Sequence, residues 1–159
     1  MALAADVQVA CDCPDIPPES EIEDWARLAL EASGRAPAGD VEVAVRVVDA
    51  EEIRTLNRLY RDRDTPTNVL SFPAGEIRGL PDDAGRLLGD IVICASVVAE
   101  EADTQGKTLA AHWAHMIVHG TLHLLGFDHE NEAEAIAMEA LETQILAAGN
   151  VTDPYAGGL

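Results

Sequence analysis

One helix constrains this chain more than any other stretch. Residues 109–125 hold no proline, a single glycine and mostly apolar side chains, the pattern of a helix that lies largely in the core. It runs into His119-Gly120-Thr121-Leu122-His123-Leu124-Leu125-Gly126-Phe127-Asp128-His129, where three of the five histidines fall within eleven residues. Residues four apart share a helix face, so His119 and His123 can point two imidazoles at one ion. Gly126 offers a helix stop, because glycine tolerates the left-handed conformation of a C-terminal cap. The turn can then bring in His129 as a third ligand.

Three neutral imidazoles suit zinc at about 2.0–2.1 Å and leave a fourth position for water. An open position marks a catalytic rather than a structural ion, and zinc brings the pKa of its water to about 7. A closed structural site would need a fourth protein ligand. Cys94 is the sole cysteine outside the N-terminal segment, and nothing in the sequence brings it near. The spacing H-x-x-x-H-x-x-G-x-x-H matches the zinc signature of the metzincin proteases except at one place. Where those enzymes carry a glutamate as general base, this chain has Gly120. The metal cradle is kept and the peptidase base is absent.

A length of 159 residues fits one domain, 1–159, with 1–18 and 150–159 as flexible ends. No apolar run is long enough to span a bilayer, and the N-terminus lacks the basic start and apolar stretch of a secretory leader. Three cysteines, an odd number, argue against a disulfide framework. Cys11 and Cys13, one residue apart, are open to oxidation or a stray metal but read first as tail residues without a role, and the whole points to a reducing cytoplasm. A formal charge of −19 weighs against tight binding to a polyanion, since nucleic-acid binders carry basic patches. The distribution softens that argument. Arg54, Arg58, Arg61 and Arg63 fall within ten positions, whereas after Lys107 there is no lysine or arginine and there are seven acids, Glu142 among them. One basic segment on an acidic body can grip a few phosphates, but not RNA at large.

The rest of the chain reads as alternating strands and helices. A short edge strand is expected over 6–10, a connector with three prolines over 11–18, a helix over 19–33 with Trp25 as core anchor, and a one-sided strand over 41–48. Asp49 then caps a helix, with Glu52 three residues on as in a capping box. Its inward residues are Ile53, Leu56, Leu59 and Tyr60, with Arg54 and Arg58 facing out. Strands over 69–72 and 87–94 pair antiparallel across a loop at 75–86. A helix over 95–105 stopped by Gly106, the histidine helix, a last helix over 130–148 and a frayed tail at 151–159 complete the chain. His112 reads as a surface residue. The order β-α-β-α-β-β-α-α-α predicts the α+β class, with a single mixed four-stranded sheet packed with helices.

Three blocks carry a resemblance to a known family. They are Leu56-Asn57-Arg58-Leu59-Tyr60-Arg61 with Asp64-Thr65-Pro66-Thr67-Asn68-Val69-Leu70-Ser71-Phe72-Pro73, then Leu88-Gly89-Asp90-Ile91-Val92-Ile93, then the histidine segment. Together they resemble the YbeY family of bacterial endoribonucleases, also described as ribosomal RNA maturation factors, over roughly residues 40–146. The resemblance implies a metalloprotease-like core with the metal helix behind the sheet. It implies one zinc ion (Zn2+) per chain on His119, His123 and His129, and Arg61, the arginine after the tyrosine, as the catalytic arginine. The implied activity is that of a metal-dependent endoribonuclease specific for single strands, acting in small-subunit ribosomal RNA maturation and ribosome quality control. Expected partners are single-stranded RNA, ribosomal RNA, and the small ribosomal subunit with its assembly factors, with no membrane and no DNA.

Spacing alone would make Arg61 an exposed helix-end arginine favoured by the helix dipole. For RNA cleavage, zinc hydroxide can attack phosphorus, or zinc can polarise a phosphoryl oxygen while the neighbouring ribose hydroxyl attacks. Both build negative charge that a guanidinium stabilises. Asp128, beside His129, is open between orienting a ligand histidine, acting as a weak base, and serving as a turn residue. His115, one turn before His119, is open between a supporting or proton-transfer group and a polar residue of a core helix. Asn68 and Ser71 are open between substrate contact and turn or strand duties. Two other functions stay in view. One is a metallohydrolase of a peptide or amide bond, against which the missing glutamate speaks. The other is a ribosome-assembly factor that holds a structural metal and acts by binding.

Overall fold

In the computed structural model, which describes residues 3–74 and 87–151, the elements follow the predicted order. They are β1 (Leu3–Val9), α1 (Glu19–Ala32), β2 (Val41–Val48), α2 (Ala50–Arg61), β3 (Val69–Pro73), β4 (Leu87–Cys94), α3 (Ala95–Gln105), α4 (Leu109–Leu124) and α5 (Glu132–Ala148). The sheet runs β1-β2-β4-β3. β1, β2 and β4 are parallel, and β3 lies antiparallel to β4 at one edge. The loop expected at 75–86 and the tail beyond residue 151 fall outside the described residues.

Alternation along the strands makes the sheet two-sided. Val41, Val43, Val45 and Val47 turn to one face with Ile91 and Ile93, where α1 (Ile22, Ala26, Leu30) and α4 (Trp113, Met116, Ile117) cover them. The other face presents Leu70, Phe72 and Val92 to Ile53 of α2. α5 then packs Met138, Ile145 and Leu146 on Ala29, Ala114, Val118 and Leu122 of α1 and α4. Trp25, half-buried, bridges these two clusters as the expected anchor. α4 is thus enclosed by sheet and α1 on one side and by α5 on the other, and eleven of its 16 residues are buried. Each aliphatic buried there contributes about 1.5–3 kcal/mol relative to exposure, so this helix is the element on which the others are assembled.

Its approach to the sheet is closest at Gly120. A Cβ there would lie 2.8 Å from Ile91 Cγ2 and 3.2 Å from Ser71 Oγ. The Ser71 hydroxyl instead donates to the Gly120 carbonyl oxygen at 3.0 Å. The position held by the protease glutamate is therefore filled by the sheet itself.

Three expectations need correction. Leu59 does not face inward, being 64% exposed, and Tyr60, 42% exposed, only lays its ring edge on Phe72 with centroids 5.2 Å apart. α2 touches the sheet along one narrow stripe, in which Asn57 takes the place assigned to them. Asn57 is buried, and its amide donates to the Thr65 carbonyl at 2.9 Å, tying down the turn before β3. The Asp49 cap does form, accepting from the Glu52 N–H at 2.9 Å. His112 is not on the surface. It is 2% exposed, because α3 covers that face of α4 and meets its Nε2 with Glu101 at 2.9 Å. Finally, Cys11 and Cys13 are joined by a disulfide and lie half-buried against the core. An odd count excludes a fully paired framework, not one local bridge. Among the described residues no helix is long and apolar enough to cross a membrane.

Candidate metal centre and cleft

The three histidines meet because of how α4 begins and ends. Thr108 caps its start, accepting from the Ala111 N–H at 3.1 Å. At its end the Gly126 N–H bonds the His123 carbonyl at 3.0 Å and the Phe127 N–H bonds the Leu122 carbonyl at 3.1 Å, the paired bonds of a Schellman cap. Gly126 has φ of +92°, the left-handed conformation its lack of a side chain permits. Phe127 packs near Leu122, and the Arg35 guanidinium lies 3.8 Å from the Phe127 ring centre. The chain thus reverses at once and swings His129 back over His119 and His123.

His119 Nε2 and His123 Nε2 are 3.0 Å apart, and the ligand nitrogens of all three histidines lie within 4.8 Å of one another. Two nitrogens bound to one zinc at about 2.0–2.1 Å and a tetrahedral angle would be about 3.3 Å apart. The donor set fits a metal ion that prefers imidazole. His123 is pushed down to about 4 by burial first, and then by His119 and His129 beside it. It is therefore neutral near pH 7, as a ligand must be. Cys94 is buried with its Sγ 3.4 Å from Ser96 Oγ and takes no part in the group.

His119, His123 and His129 line a cleft of about 780 Å³ together with residues of β3, Arg61 at the end of α2, and Arg63. Arg61 donates to the Ser71 carbonyl at 2.8 Å and to the Tyr60 carbonyl at 3.1 Å, and its guanidinium stands 4.8 Å from the Phe72 ring centre. Asn68 lines the cleft, but its amide group donates to Glu101 at 3.0 Å and its oxygen accepts from the Val69 N–H at 2.7 Å. With Ser71 held to Gly120, both carry turn and strand duties. Asp128 accepts from the His129 backbone N–H at 2.7 Å, which shapes the turn.

Behind the histidines lies a residue that sequence reasoning counted only among the acids. Glu142, fully buried on α5, places Oε1 2.6 Å from His119 Nδ1 and Oε2 3.0 Å from His115 Nε2. His115 is buried and reaches the site through that carboxylate. The signal available in the sequence was an acid on the apolar side of a helix, level with Met138, Ile145 and Leu146.

His112 supplies a pH test. Burial lowers its pKa below the ordinary histidine value, more than the Glu101 carboxylate raises it, with Lys107 and His115 adding to the fall. The unfolded chain therefore takes up this proton at higher pH than the folded one. The stability that His112 contributes is complete above the ordinary value and is lost as pH falls towards the depressed one. The urea midpoint of metal-free protein should drop between pH of about 7.5 and about 5, and less steeply in His112→Gln. An equal slope in the variant would assign the loss to other groups.

Comparison with known proteins agrees with this picture. The family model described as Endoribonuclease YbeY matches residues 9–150, a longer span than the sequence blocks cover. The chain is 54% identical over 151 residues to the endoribonuclease YbeY of Alcanivorax borkumensis, covering 94% of this chain and 85% of that one. It is 57% identical to that of Halorhodospira halophila (87% and 88% covered) and 47% identical to that of Psychromonas ingrahamii (98% and 97% covered). The solution structure of TM1509 from Thermotoga maritima aligns over 96% of this chain and 98% of that chain, with a TM-score of 0.56 at 24% identity, a likeness of fold. The α+β class and the resemblance are both borne out. Agreement of this extent, over almost the whole length, means that the chain belongs to the Endoribonuclease YbeY family.

Proposed function

We propose that this protein is a zinc-dependent endoribonuclease that cuts single-stranded RNA in the cytoplasm, with ribosomal RNA of the small subunit as its substrate during maturation and quality control. Beyond family membership, one observation supports this reading most: three converging imidazoles and a backbone-held arginine line one cleft. His119, His123 and His129 would hold the ion. When bound, it supplies Lewis acidity towards a phosphoryl oxygen or a water. Arg61 binds and orients the phosphate. Its planar donors can meet two phosphoryl oxygens at once and stabilise the charge that builds on them, while the carbonyls of Tyr60 and Ser71 keep the guanidinium in place. Gly120 leaves the site without a carboxylate base on α4, which favours a phosphodiester over a peptide bond as the target.

The test is cleavage of a labelled single-stranded RNA and of its duplex, with and without chelator, alongside zinc content. Arg61→Ala should keep its zinc and cut about 10²–10³-fold more slowly, as when a charge-stabilising donor is removed. Cleavage by Arg61→Ala at the wild-type rate would remove the arginine from the reaction. Wild type that holds zinc but cuts no faster than a buffer blank would favour the assembly-factor reading.

A further inference from the structure

The two oxygens of Glu142 are engaged by two different histidines, only one of which faces the cleft. A glutamate buried this deeply is rare unless it is paired. A ring that gives Nε2 to a metal carries its proton on Nδ1 and donates it to the carboxylate behind, and a carboxylate that accepts at one oxygen from His119 can accept at the other from His115. His119 then carries its proton on Nδ1, and His115 carries its own on Nε2. That leaves His119 Nε2 as a bare lone pair, on the side where His123 Nε2 lies 3.0 Å away.

We propose that Glu142 is a positioning residue for the metal centre. It fixes the tautomer and the ring direction of His119, and His115 acts as the strut that holds the carboxylate in register. This inference rests on the metal reading above and deepens it. The placement on α5 has a consequence for assembly. Glu142 lies one turn from Met138 and from Ile145 and Leu146, which dock α5 on α4. Closing the core and presenting the His119 lone pair are therefore one event. Asp128 is engaged differently: its Oδ1 accepts from the backbone N–H of His129.

The experiment compares wild type, Glu142→Gln and His115→Phe by zinc affinity in competition with a chromophoric chelator, and reads imidazole ¹⁵N shifts in the metal-free protein. Glutamine has nearly the same shape but offers an N–H as readily as an oxygen, so His119 is freed to place its proton on Nε2. Zinc affinity should fall about 10–100-fold in Glu142→Gln, and the His119 shifts should leave the Nδ1–H pattern. His115→Phe should weaken zinc in the same direction. A folded Glu142→Gln that binds zinc as wild type does, with unchanged shifts, overturns the proposal. If that variant does not fold, the wild type decides alone, because a His119 proton found on Nε2 refutes the assignment. Wild type that takes up no zinc would sink the metal reading and this inference with it. Wild type that binds zinc while Glu142→Gln binds it equally would sink only this one.

Discussion

Gly120→Glu, which restores the peptidase motif letter for letter, is expected to abolish the fold rather than to change the bond that is cut. The argument is one of space. A Cβ at this position meets Ile91 Cγ2 at 2.8 Å and Ser71 Oγ at 3.2 Å, and Ile91 is fully buried. Overpacking of this kind costs about 1–3 kcal/mol. For Gly120→Ala, the better helix propensity of alanine returns about 0.8–1.0 kcal/mol, so the net loss should stay below about 2 kcal/mol. At about 2–4 °C per kcal/mol for a domain of this size, that is a modest fall in melting temperature. Glutamate adds a longer side chain and a carboxylate between α4 and the sheet, where its Cβ already meets Ile91 and Ser71. Such a charge costs several kcal/mol more, comparable with the whole stability of about 5–15 kcal/mol for a typical domain. Thermal unfolding of both variants checks this: a shifted but cooperative transition for alanine, none for glutamate. A glutamate variant that melts with the wild type would show that α4 can lift off the sheet, and would bring peptide hydrolysis back into consideration.

What the sequence made legible is what depends on neighbours along the chain. The Asp49 cap and the glycine stop at Gly106 are local patterns, and both appear where expected, although Glu52, the other half of the expected capping box, pairs its carboxylate with Arg46. So does the turn at Gly126, and with it the meeting of His119, His123 and His129. Spacing and one glycine were enough to build that site. The illegible features depend on which remote element covers a face. Leu59 and Tyr60 have the periodicity of a buried stripe, but α2 turns Leu59 outward and leaves Tyr60 at the margin, with only its ring edge on Phe72. His112 read as a surface residue, and only the packing of α3, which brings Glu101 to it, buries it. Glu142 acquires its meaning from docking 23 residues away from His119, which no periodicity announces. Arg61 is intermediate. Its position at a helix end is local, but its place on the cleft wall depends on β3, where Ser71 accepts its hydrogen bond, and from the sequence only the family resemblance pointed to it.

His123→Ala should lose both bound zinc and RNA cleavage, and yet leave the metal-free protein better able to withstand mild acid. The first effect follows from ligand count, since catalytic zinc sites keep three protein ligands and this variant retains two. Cleavage should fall to the level of a buffer blank. The second follows from crowding. Burial, and then the neighbouring rings of His119 and His129, hold the His123 pKa down to about 4. The unfolded chain takes up the same proton near about 6.5. Stability contributed by neutral His123 is thus present above the ordinary value and drains away as pH falls between the two. Alanine has no proton to take up. The urea midpoint of the metal-free variant, measured against wild type, should therefore shift in its favour on going from pH of about 7.5 to about 5. A variant that still binds stoichiometric zinc would remove His123 from the ligand set. One whose acid loss parallels that of wild type would mean that the fold does not hold the His123 pKa down. The two effects have opposite signs because one arrangement causes both. Burial first, and then the His119 and His129 rings beside it, lower the affinity of His123 for a proton, and the metal-free site gives up acid tolerance at the residue it keeps ready for the ion.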